Sequence, residues 1–302
     1  MSFDAVIAIP TYRRPQGLHR LLTSLQPSLD RYRVAVIVGD NACDAETAAI
    51  VAGFARRYPD IHYLPVHERG ISQNRNALLA AYRMMPPAPW LAMLDDDLVA
   101  PPDWLEQMIS VGRGCDADVV GGPYRIDADA PGVSRLVRNS ILVNRPNHPT
   151  GPIDRFHAGG NMLLARRLLL AEPLLWFDTD LGKSGSEDMQ FLDAAKSRGG
   201  RFAWSAQALC IEDFPADRGT AKYLFERYYS TGNAMAHIAV AQQGRVMVLA
   251  LVSRRLLASL MRVAANLVRC NWDRAVQRVF DATWAVGGLG AALGLGRSER
   301  YQ

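Results

Sequence analysis

The chain has 302 residues and a mass of 33.3 kDa, which at about 150 residues per domain favours two domains, or one domain with an appendage. Hydrophobic residues make up 49% and charged residues 21%, proportions that exclude a disordered or fibrous protein. A net charge of +4 does not indicate a nucleic-acid partner, and we expect none.

The charge is unevenly distributed along the chain. Residues 245–302 contain nine arginines and three acidic residues, a net charge of +6, which leaves −2 for the rest. A basic C-terminal segment attached to a faintly acidic body suggests a separate task for that segment.

The cysteines and the N-terminus both bear on the cellular compartment. The cysteines are widely spaced and form no CxxC pair, so neither a zinc site nor a disulfide framework is expected, and the thiols fit a reducing compartment. The first ten residues resemble a strand and lack the features of a signal peptide. We therefore expect a cytoplasmic protein. The cysteines are Cys43, Cys115, Cys210 and Cys270.

The first 120 residues alternate short apolar runs with helical patterns. Ser72 is the expected N-cap of the third helix. Strands joined by helices are typical of a parallel sheet covered on both faces. The predicted strands are Ala5–Ile9, Val34–Val38, Ile61–Leu64, Trp90–Leu94 and one beginning at Val119, and the predicted helices are Pro15–Leu25, Ala45–Arg57, Ser72–Met84 and Trp104–Val111.

Beyond residue 121 the pattern becomes irregular. Five prolines between residues 122 and 160 exclude a long regular element, and we expect this loop-rich stretch to contribute to substrate binding. A glycine pair should end the helix that precedes it. The later predicted elements are strands at Asn161–Ala165, Arg201–Ala203 and Ala208–Ile211, and helices at Glu187–Ser197 and Thr220–Gln243.

Ligands of parallel α/β sheets bind beyond the carboxyl ends of the strands. The residues that follow three of the predicted strands should therefore converge on one crevice. They are Pro10–Arg13, Gly39–Asn41 and Asp95–Asp97.

Three consecutive aspartates, Asp95, Asp96 and Asp97, close the fourth predicted strand. Clustered carboxylates repel one another unless a cation is present, and Mg²⁺ and Mn²⁺ bind a few carboxylates together with phosphate oxygens. The cluster therefore indicates a metal that assists a departing diphosphate. The alternative is a solvated turn with a helix-capping aspartate.

A second acidic pair, Glu187 and Asp188, begins a predicted helix. The spacing from Ser184 to Glu187 matches a capping box, and acidic residues suit the first turn of a helix. A carboxylate at the mouth of a cleft also suits a general base. Both readings are compatible if Glu187 caps the helix and Asp188 faces the cleft.

Six segments together resemble inverting glycosyltransferases of family 2, which have the GT-A fold. The resemblance covers roughly residues 3–235, and the later segment WSAQALCIEDFPADRGTAKYLFERYYSTGN resembles bacterial members that build exopolysaccharides on lipid-linked acceptors. It implies an α/β fold with a Rossmann-like, mostly parallel sheet, followed here by C-terminal amphipathic helices. The segments are IAIPTYRR, VGDNACD, HERGISQNRNALL, LAMLDDDLVAPPDWLE, HAGGNMLLARR and GKSGSEDMQF.

The resemblance implies a nucleotide site formed by residues from three segments. Asp40 would bind the uracil edge of a UDP-sugar, although a turn after a strand would also explain it. Arg75 would contact the base or phosphate, although it would equally suit an exposed helix surface. The full set is Pro10, Thr11, Tyr12 against the base, Arg13, Asp40, Gly70, Arg75, and Asp95 and Asp96 near the ribose, metal or sugar.

The resemblance also implies the catalytic groups. Asp95 and Asp97 would hold Mg²⁺ or Mn²⁺, and Asp188 would be the catalytic base in a single inverting displacement. The segment Gly159–Asn161 would shape the floor of the site, although its glycines would also suit a loop that needs positive φ. Arg groups near the diphosphate would stabilise the charge that develops there.

The chain departs from the family pattern at two points. No histidine is evident as a further metal ligand, so Glu212 is the candidate, with an ion pair to Arg218 as the alternative. The QxxRW mark of processive members is absent, which indicates addition of a single sugar. Arg218 and Arg227 would assist the leaving diphosphate or, alternatively, be solvated or salt-bridged.

The basic C-terminal segment is helical by its periodicity. Its uncharged runs are too short to span a bilayer, so a helix lying in a membrane interface and a helix packed on the catalytic domain with its arginines in water are both open. The expected partners are a nucleotide-sugar, a glycan or lipid-linked saccharide acceptor, and the cytoplasmic face of the inner membrane. The polar stripe consists of Arg255, Ser259, Arg262, Asn266 and Arg269.

Three regions follow from this reading: a nucleotide-sugar-binding half (1–122), an acceptor-binding and catalytic half (123–244) and a basic helical tail (245–302). Two alternatives to a glycosyltransferase are weighed. A nucleotidyltransferase would carry a Gly-rich phosphate loop with a lysine where this chain has PTYRRPQG, and a catalytically dead scaffold would not need Asp95, Asp97 and Asp188.

Overall fold

The computed structural model describes residues 2–127, 133–138, 140, 143, 147–156, 159–181, 187–213 and 220–296. The chain divides into two compact units. The first unit comprises Met1–Arg125, Arg145–Gly182 and Glu187–Asp213, and the second unit comprises the rest. The division by role at residues 122 and 244 remains a separate prediction.

The strands of the described residues form one large and one small sheet. In chain order they are β1 (Ala5–Thr11), β2 (Val34–Asp40), β3 (Ile61–Pro65), β4 (Trp90–Leu94), β5 (Leu98–Val99), β6 (Val119–Gly121), β7 (Tyr124–Ile126), β8 (Gly151–Ile153), β9 (Asn161–Ala165), β10 (Phe202–Trp204) and β11 (Cys210–Glu212). The large sheet has the order β3-β2-β1-β4-β9-β6-β10-β8, and the small sheet has the order β5-β11-β7.

The large sheet is mixed but mostly parallel, which confirms the predicted class. β1 pairs in parallel with β2 and β4, β2 with β3, and β6 with β10, whereas β9 is antiparallel to both β4 and β6. In this register Thr11 lies opposite Asp40, and Leu94 lies opposite Asn161. The carboxyl ends of β1, β2 and β4 and the amino end of β9 therefore share one edge.

Helices cover both faces of the large sheet, as predicted. Leu22 of α1 and Trp104 of α4 pack on one face, and Leu78 of α3 and Phe191 of α7 pack on the other. The helices are α1 (Pro15–Arg31), α2 (Ala45–Ala55), α3 (Ile71–Met84), α4 (Trp104–Gly114), α5 (Arg135–Arg138), α6 (Arg166–Leu170), α7 (Glu187–Ser197), α8 (Ala221–Gln243), α9 (Arg245–Val268) and α10 (Trp272–Ala292), with a 3-10 turn at Thr179–Leu181.

The N-cap predicted for the third helix is wrong. α3 begins at Ile71 with Gly70 as its N-cap, and the Ser72 side chain is buried within the first turn. Gly70 has φ +136°, a value that L side chains rarely adopt. The chain enters this helix through a turn that only a glycine accommodates readily, so the serine two residues later does not cap it.

The second unit includes the long C-terminal helices. α8 and α10 pack closely at two glycines. A Cβ on Gly232 would lie 1.9 Å from the Trp284 carbonyl oxygen, and a Cβ on Gly287 would lie 2.0 Å from the Tyr229 carbonyl oxygen, so neither position has room for a side chain. Val248 and Val252 of α9 join the same apolar cluster. In the part of the chain that the structure describes, no helix is both long enough and apolar enough to cross a membrane.

Candidate active site

The polar residues predicted to converge do lie at one edge of the large sheet. The segment after β4 reaches the segment before β9, since the Asp95 amide donates to the Gly160 carbonyl oxygen at 3.0 Å. The Asn41 amide donates to the Thr11 carbonyl oxygen at 3.0 Å, which joins the ends of β1 and β2. The first unit thus presents these segments as one continuous rim.

The aspartate triplet is held by residues that follow β1. The Thr11 hydroxyl donates to Oδ2 of Asp96 at 2.6 Å. One guanidinium nitrogen of Arg14 donates to Asp97 at 2.6 Å and to Asp96 at 3.3 Å. A Cβ on Gly17 would lie 2.7 Å from the Asp96 carbonyl oxygen, so the first turn of α1 fits closely against the triplet.

Arg75 of α3 connects the triplet to α7. Its guanidinium donates to Oδ1 of Asp95 at 2.9 Å and to Oε1 of Glu187 at 2.7 Å. Only 4% of its side chain is exposed, and it lies over the Phe177 ring. The alternative of an exposed surface arginine is therefore wrong, because Arg75 is the buried link between two acidic segments.

The glycine pair before β9 brings Asp95 and Asp188 together. A Cβ on Gly160 would lie 2.5 Å from Oδ2 of Asp95, and one on Gly159 would lie 2.5 Å from Cβ of Asp188. The Gly159 amide also donates to Oδ2 of Asp188 at 2.9 Å. Neither glycine has positive φ, so the alternative of a loop that needs left-handed backbone is wrong, and close packing explains both.

Asp188 is oriented by backbone amides at both carboxylate oxygens. Oδ1 accepts from the Met189 amide at 2.8 Å, and Oδ2 accepts from Gly159. Glu187 binds Arg75, so it links segments in addition to beginning α7. Ser184, the partner in the expected capping box, lies outside the described residues.

Burial governs the electrostatics of the acidic residues. Burial, together with the neighbouring Asp97 charge, raises the pKa of Asp96 to about 7. Burial also raises the pKa of Glu187 to about 7, although the Arg75 charge acts in the opposite direction. The pKa of Arg75 is raised despite its burial, because the charges of Asp95 and Glu187 outweigh the desolvation.

The aspartate triplet offers oxygen ligands of the kind that a hard divalent cation binds. Oδ1 of Asp95 binds Arg75, while Oδ2 faces the bare Cα of Gly160, where even a methyl group would be too close. The described residues contain no group of three or more His, Cys, Asp or Glu side chains placed to hold a metal. Mg²⁺ in substrate sites commonly takes one or two carboxylates and completes its shell with phosphates and water.

Asp40 is fully buried in the turn that its residue type favours. Its carboxylate accepts from the Ala42 amide at 2.8 Å, the Asp44 amide at 2.7 Å and the Tyr63 hydroxyl at 2.9 Å. A carboxylate has about four acceptor positions, so one is left beyond these three. The contact to uracil therefore remains a prediction, and the observed contacts order the β2–α2 loop.

The Tyr12 ring lies close to two exposed arginines. The guanidinium carbons of Arg13 and Arg69 are 5.1 and 5.0 Å from the Tyr12 ring centroid. Arg69 also donates to the Asn41 carbonyl oxygen, and Oδ1 of Asn41 accepts from the Gly70 amide. This cationic, aromatic surface adjoins the ends of β1 and β2, where Pro10 is buried within β1.

Two residues of this edge were not predicted, Arg14 and Arg69. Arg14 is the N-cap of α1, with φ −134° and ψ 53°, and it is half-buried, whereas Arg13 has φ +53° and is exposed. The sequence carried no signal that separates the two arginines, because the directions of their side chains depend on these backbone angles.

The remaining candidates lie on β11 and α8. Glu212 is buried on β11, and the amide of the following Asp213 donates to the Asp97 carbonyl oxygen at 2.6 Å. The side chain of Arg227 donates to the Tyr223 hydroxyl within α8. Arg218 lies outside the described residues, and with it the alternative ion pair to Glu212.

The mixed sheet and its acidic edge agree with the GT-A glycosyltransferase class that the sequence resembles, and the comparisons with known proteins show this class. The sequence profile described as glycosyl transferase family 2 matches residues 6–171, and the chain belongs to that family. The succinoglycan biosynthesis protein ExoM of Rhizobium meliloti (strain 1021) is 32% identical over 235 residues, which cover 75% of this chain and 72% of ExoM. A pre-mycofactocin glycosyltransferase of Mycobacterium tuberculosis is 31% identical over 140 residues, 46% of this chain and 27% of that protein.

Solved structures share the fold at low sequence identity. The mannosyltransferase PcManGT from Pyrobaculum calidifontis, in complex with GDP-Man and Mn2+, aligns with a TM-score of 0.62 and 19% identity over 96% of this chain and 88% of its own. S. aureus TarS 1-349 in complex with UDP-GlcNAc aligns with a TM-score of 0.53 and 14% identity over 95% and 92%. The predicted GT-A fold is thereby confirmed.

Proposed function

We propose that the chain is an inverting, non-processive glycosyltransferase that moves one sugar from a nucleotide-sugar to a hydroxyl of a glycan or lipid-linked saccharide. The observation that carries the proposal is the close approach of Asp95 and Asp188 across the two glycines before β9. This approach brings an acidic group suited to a metal-diphosphate next to a carboxylate suited to proton removal.

Asp188 acts as the base in this proposal. The acceptor oxygen forms a bond to the anomeric carbon as the bond from that carbon to the nucleotide oxygen breaks, and Asp188 takes the hydroxyl proton. Amides on both of its oxygens keep the carboxylate oriented, which supports proton transfer in a fixed direction. One displacement inverts the configuration, so no second nucleophilic carboxylate is needed.

Asp95 and Asp97 hold Mg²⁺ or Mn²⁺ in this proposal, with Glu212 as the candidate for a further ligand. The cation, when bound, supplies positive charge to the diphosphate. Arg75 sets the position of Asp95 through a direct hydrogen bond, and Arg14 does the same for Asp97. In this proposal the two metal-binding carboxylates are therefore held in position by arginines that are buried or half-buried.

The nucleotide lies along the ends of β1 and β2 in this proposal. The surface of Tyr12, Arg13 and Arg69 receives the base and phosphates, and Gly70 with the Asp40 loop forms the adjoining wall. Thr11 and Asp96, already hydrogen-bonded to each other, lie nearest the ribose or sugar. A UDP-sugar is favoured because the family resemblance assigns uracil to Asp40.

Exopolysaccharide biosynthesis is the proposed setting, supported by the likeness to ExoM over most of both chains. The acceptor is then a lipid-linked saccharide, and the enzyme works as a cytoplasmic protein at the membrane face.

A transfer assay with Asp188→Asn tests this function. Labelled UDP-sugars and GDP-sugars are incubated with a bacterial lipid extract and Mn²⁺, and label in the lipid phase is measured. Asp188→Asn should lower transfer by about 10²–10⁴-fold while nucleotide binding is retained, because a general base contributes about that much. Asp193→Asn, on the same helix α7, is the matched control and should transfer normally.

Two results would contradict the proposal. One is unchanged transfer by Asp188→Asn, which would remove the base assignment. The other is a product whose anomeric configuration, read by NMR, is the same as that of the donor, because a single displacement must invert it.

A further inference from the structure

The solvent-facing side of α9 is apolar, which is unusual for a helix at a protein surface. Val268 is 85% exposed, Leu257 59% and Met261 58%. Exposed apolar patches of this extent commonly mark interaction sites. The residues of this surface, called here the α9 apolar face, are Met247, Leu251, Leu257, Leu260, Met261 and Val268.

The opposite side of α9 is the one that packs within the second unit. Val248 and Val252 pack into the apolar cluster formed with α8 and α10, and Ser259 is 2% exposed. The polar stripe predicted from the sequence is thus divided: Ser259 is buried, while Arg262 is exposed at the flank. The helix turns part of its polar stripe inward and most of its large apolar side chains outward.

Cationic side chains lie within and beside the α9 apolar face: at about 100° per residue Arg254 projects between Met261 and Met247, and Arg262 projects at the edge of the face. α9 contains four arginines and no acidic residue. Arg254 and Arg262 are exposed on α9, and Arg269 is exposed just after it. Trp272, which begins α10, is 65% exposed. Tryptophan is enriched at the boundary between lipid and water, where its ring is half apolar and half polar.

This combination fits a lipid surface better than a protein surface. A second copy of the chain that used the same face would bring arginines toward arginines, because α9 carries four arginines and no acidic residue. A bilayer with anionic headgroups accepts the apolar side chains in its acyl boundary and the guanidinium groups at its phosphates. With 24 residues at about 1.5 Å per residue, α9 extends for about 36 Å along such a surface.

We propose that the α9 apolar face is a docking surface for an anionic lipid bilayer, with α9 lying in the plane of the membrane interface. Leu257, Leu260 and Met261 enter the acyl boundary, and Arg254, Arg262 and Arg269 contact headgroup phosphates. The biological role of this contact rests on the proposed function, in which the acceptor is linked to a membrane lipid. The binding itself requires neither donor nor acceptor.

Vesicle binding tests the docking surface separately from catalysis. The full chain is mixed with vesicles of phosphatidylcholine and phosphatidylglycerol, or of phosphatidylcholine alone, and bound protein is measured by sedimentation. The double variant Leu257→Glu/Leu260→Glu should lose at least about tenfold in partition coefficient, since two apolar contacts are replaced by charges. Arg262→Glu should reduce binding by at least about fivefold on anionic vesicles.

Met84→Glu is the matched control because Met84 is 87% exposed on α3, in the first unit. This variant should bind vesicles like the wild type. Circular dichroism and nucleotide binding establish that each variant is folded, so a loss of vesicle binding with intact nucleotide binding isolates the docking surface from the proposed catalytic function.

Three outcomes would overturn the inference. If the wild-type protein binds nucleotide but no vesicles, the α9 apolar face is not a docking surface for lipid. Equal binding to neutral and anionic vesicles would contradict the proposed contacts between the arginines and the headgroup phosphates. The third outcome is a wild-type protein that does not bind vesicles but forms dimers at high concentration. If Leu257→Glu/Leu260→Glu disperses those dimers, the α9 apolar face binds a second copy of the chain.

Discussion

Arg75 is enclosed between the Asp95 and Glu187 carboxylates, with the Phe177 ring beside it. The Asp95 side chain is 35% exposed, but Glu187 could not be buried here without Arg75, because an unpaired buried charge is strongly destabilising. Arginine suits this position better than lysine, since its planar fork reaches two carboxylates at once. At the scale of single residues, the site thus depends on one buried cation that joins β4 to α7.

Replacing Arg75 should therefore weaken the fold as well as the site. Arg75→Met removes one partner of a buried pair, and the free energy of unfolding should fall by about 3–5 kcal/mol. Denaturant titration measures the change. The control is Arg57→Ala, which breaks an exposed pair with Asp30 and should cost under about 1 kcal/mol. Equal losses for the two variants would contradict the buried link.

Cys43 offers a chemical reporter of the nucleotide. This exposed thiol lies on the β2–α2 loop, with Sγ 3.7 Å from the Asp40 carbonyl oxygen and 3.5 Å from Nδ1 of His67. Bound nucleotide should slow its alkylation about tenfold at ten times the Kd, because only the free form reacts. Mass spectrometry follows each cysteine. Exposed Cys270 in the second unit is the control, and equal protection of both would contradict the proposed position.

At the scale of elements, antiparallel β9 completes the site. It inserts between β4 and β6, and the turn that precedes it carries Gly159 and Gly160 to the strand ends of the parallel part. Buried Asn161 then ties the start of β9 to its surroundings, since it accepts from the Trp104 indole and donates to the Pro123 and Ala208 carbonyl oxygens. Asp95, which follows β4, and Asp188 of α7 can both pack against this turn because Gly159 and Gly160 have no side chains.

Gly160→Ala should damage function more than stability. The added methyl would lie 2.5 Å from Oδ2 of Asp95 and would displace a proposed metal ligand. Transfer should fall by about a hundredfold, the effect expected of a misplacement near 1 Å. Gly53→Ala in α2 is the matched control, because its added methyl meets nothing within 4 Å and should stabilise the helix by about 0.5–1 kcal/mol. Normal transfer by Gly160→Ala would contradict this account of the turn.

Periodicity located the long elements of the first unit and missed the short ones, although α1 continues to Arg31 and does not end at Leu25 as predicted. α7 was predicted at Glu187–Ser197 and is observed there, because its apolar spacing and the following glycines act locally. β5 and β8 were not predicted, since strands of two or three residues carry little periodic signal and depend on pairing across the sheet.

The site was predictable in its location and less so in its contacts. The rule for carboxyl strand ends placed Thr11, Asp40 and Asp95 on one edge correctly. It did not indicate that Asp40 is enclosed by its own loop, or that Arg14 rather than Arg13 contacts the aspartates. Those contacts depend on backbone angles around Pro15 and on a tyrosine of β3, which chain-order patterns do not reveal.

At the scale of the whole molecule, the two units carry different surfaces. The first presents the acidic edge of the large sheet, and the second presents the α9 apolar face with the exposed arginines of that helix. The positively charged part of the sequence, +6 in residues 245–302 against −2 elsewhere, belongs to the second unit. Composition suggested a separate task for the C-terminal segment, but only the packing of α9 on α8 and α10 shows which of its sides faces outward.

The central claim is that the acidic edge binds a nucleoside diphosphate together with a divalent cation. Calorimetry of UDP, GDP, dTDP and CMP, with and without Mn²⁺, tests it on wild-type protein, Asp97→Ala and the control Asp103→Ala, whose exposed carboxylate binds Gln107. We predict Mn²⁺-dependent binding of UDP that falls at least about tenfold in Asp97→Ala, the loss of one charged contact, and is unchanged in Asp103→Ala. Failure of every nucleotide to bind folded wild-type protein, or equal binding by Asp97→Ala, would contradict the account.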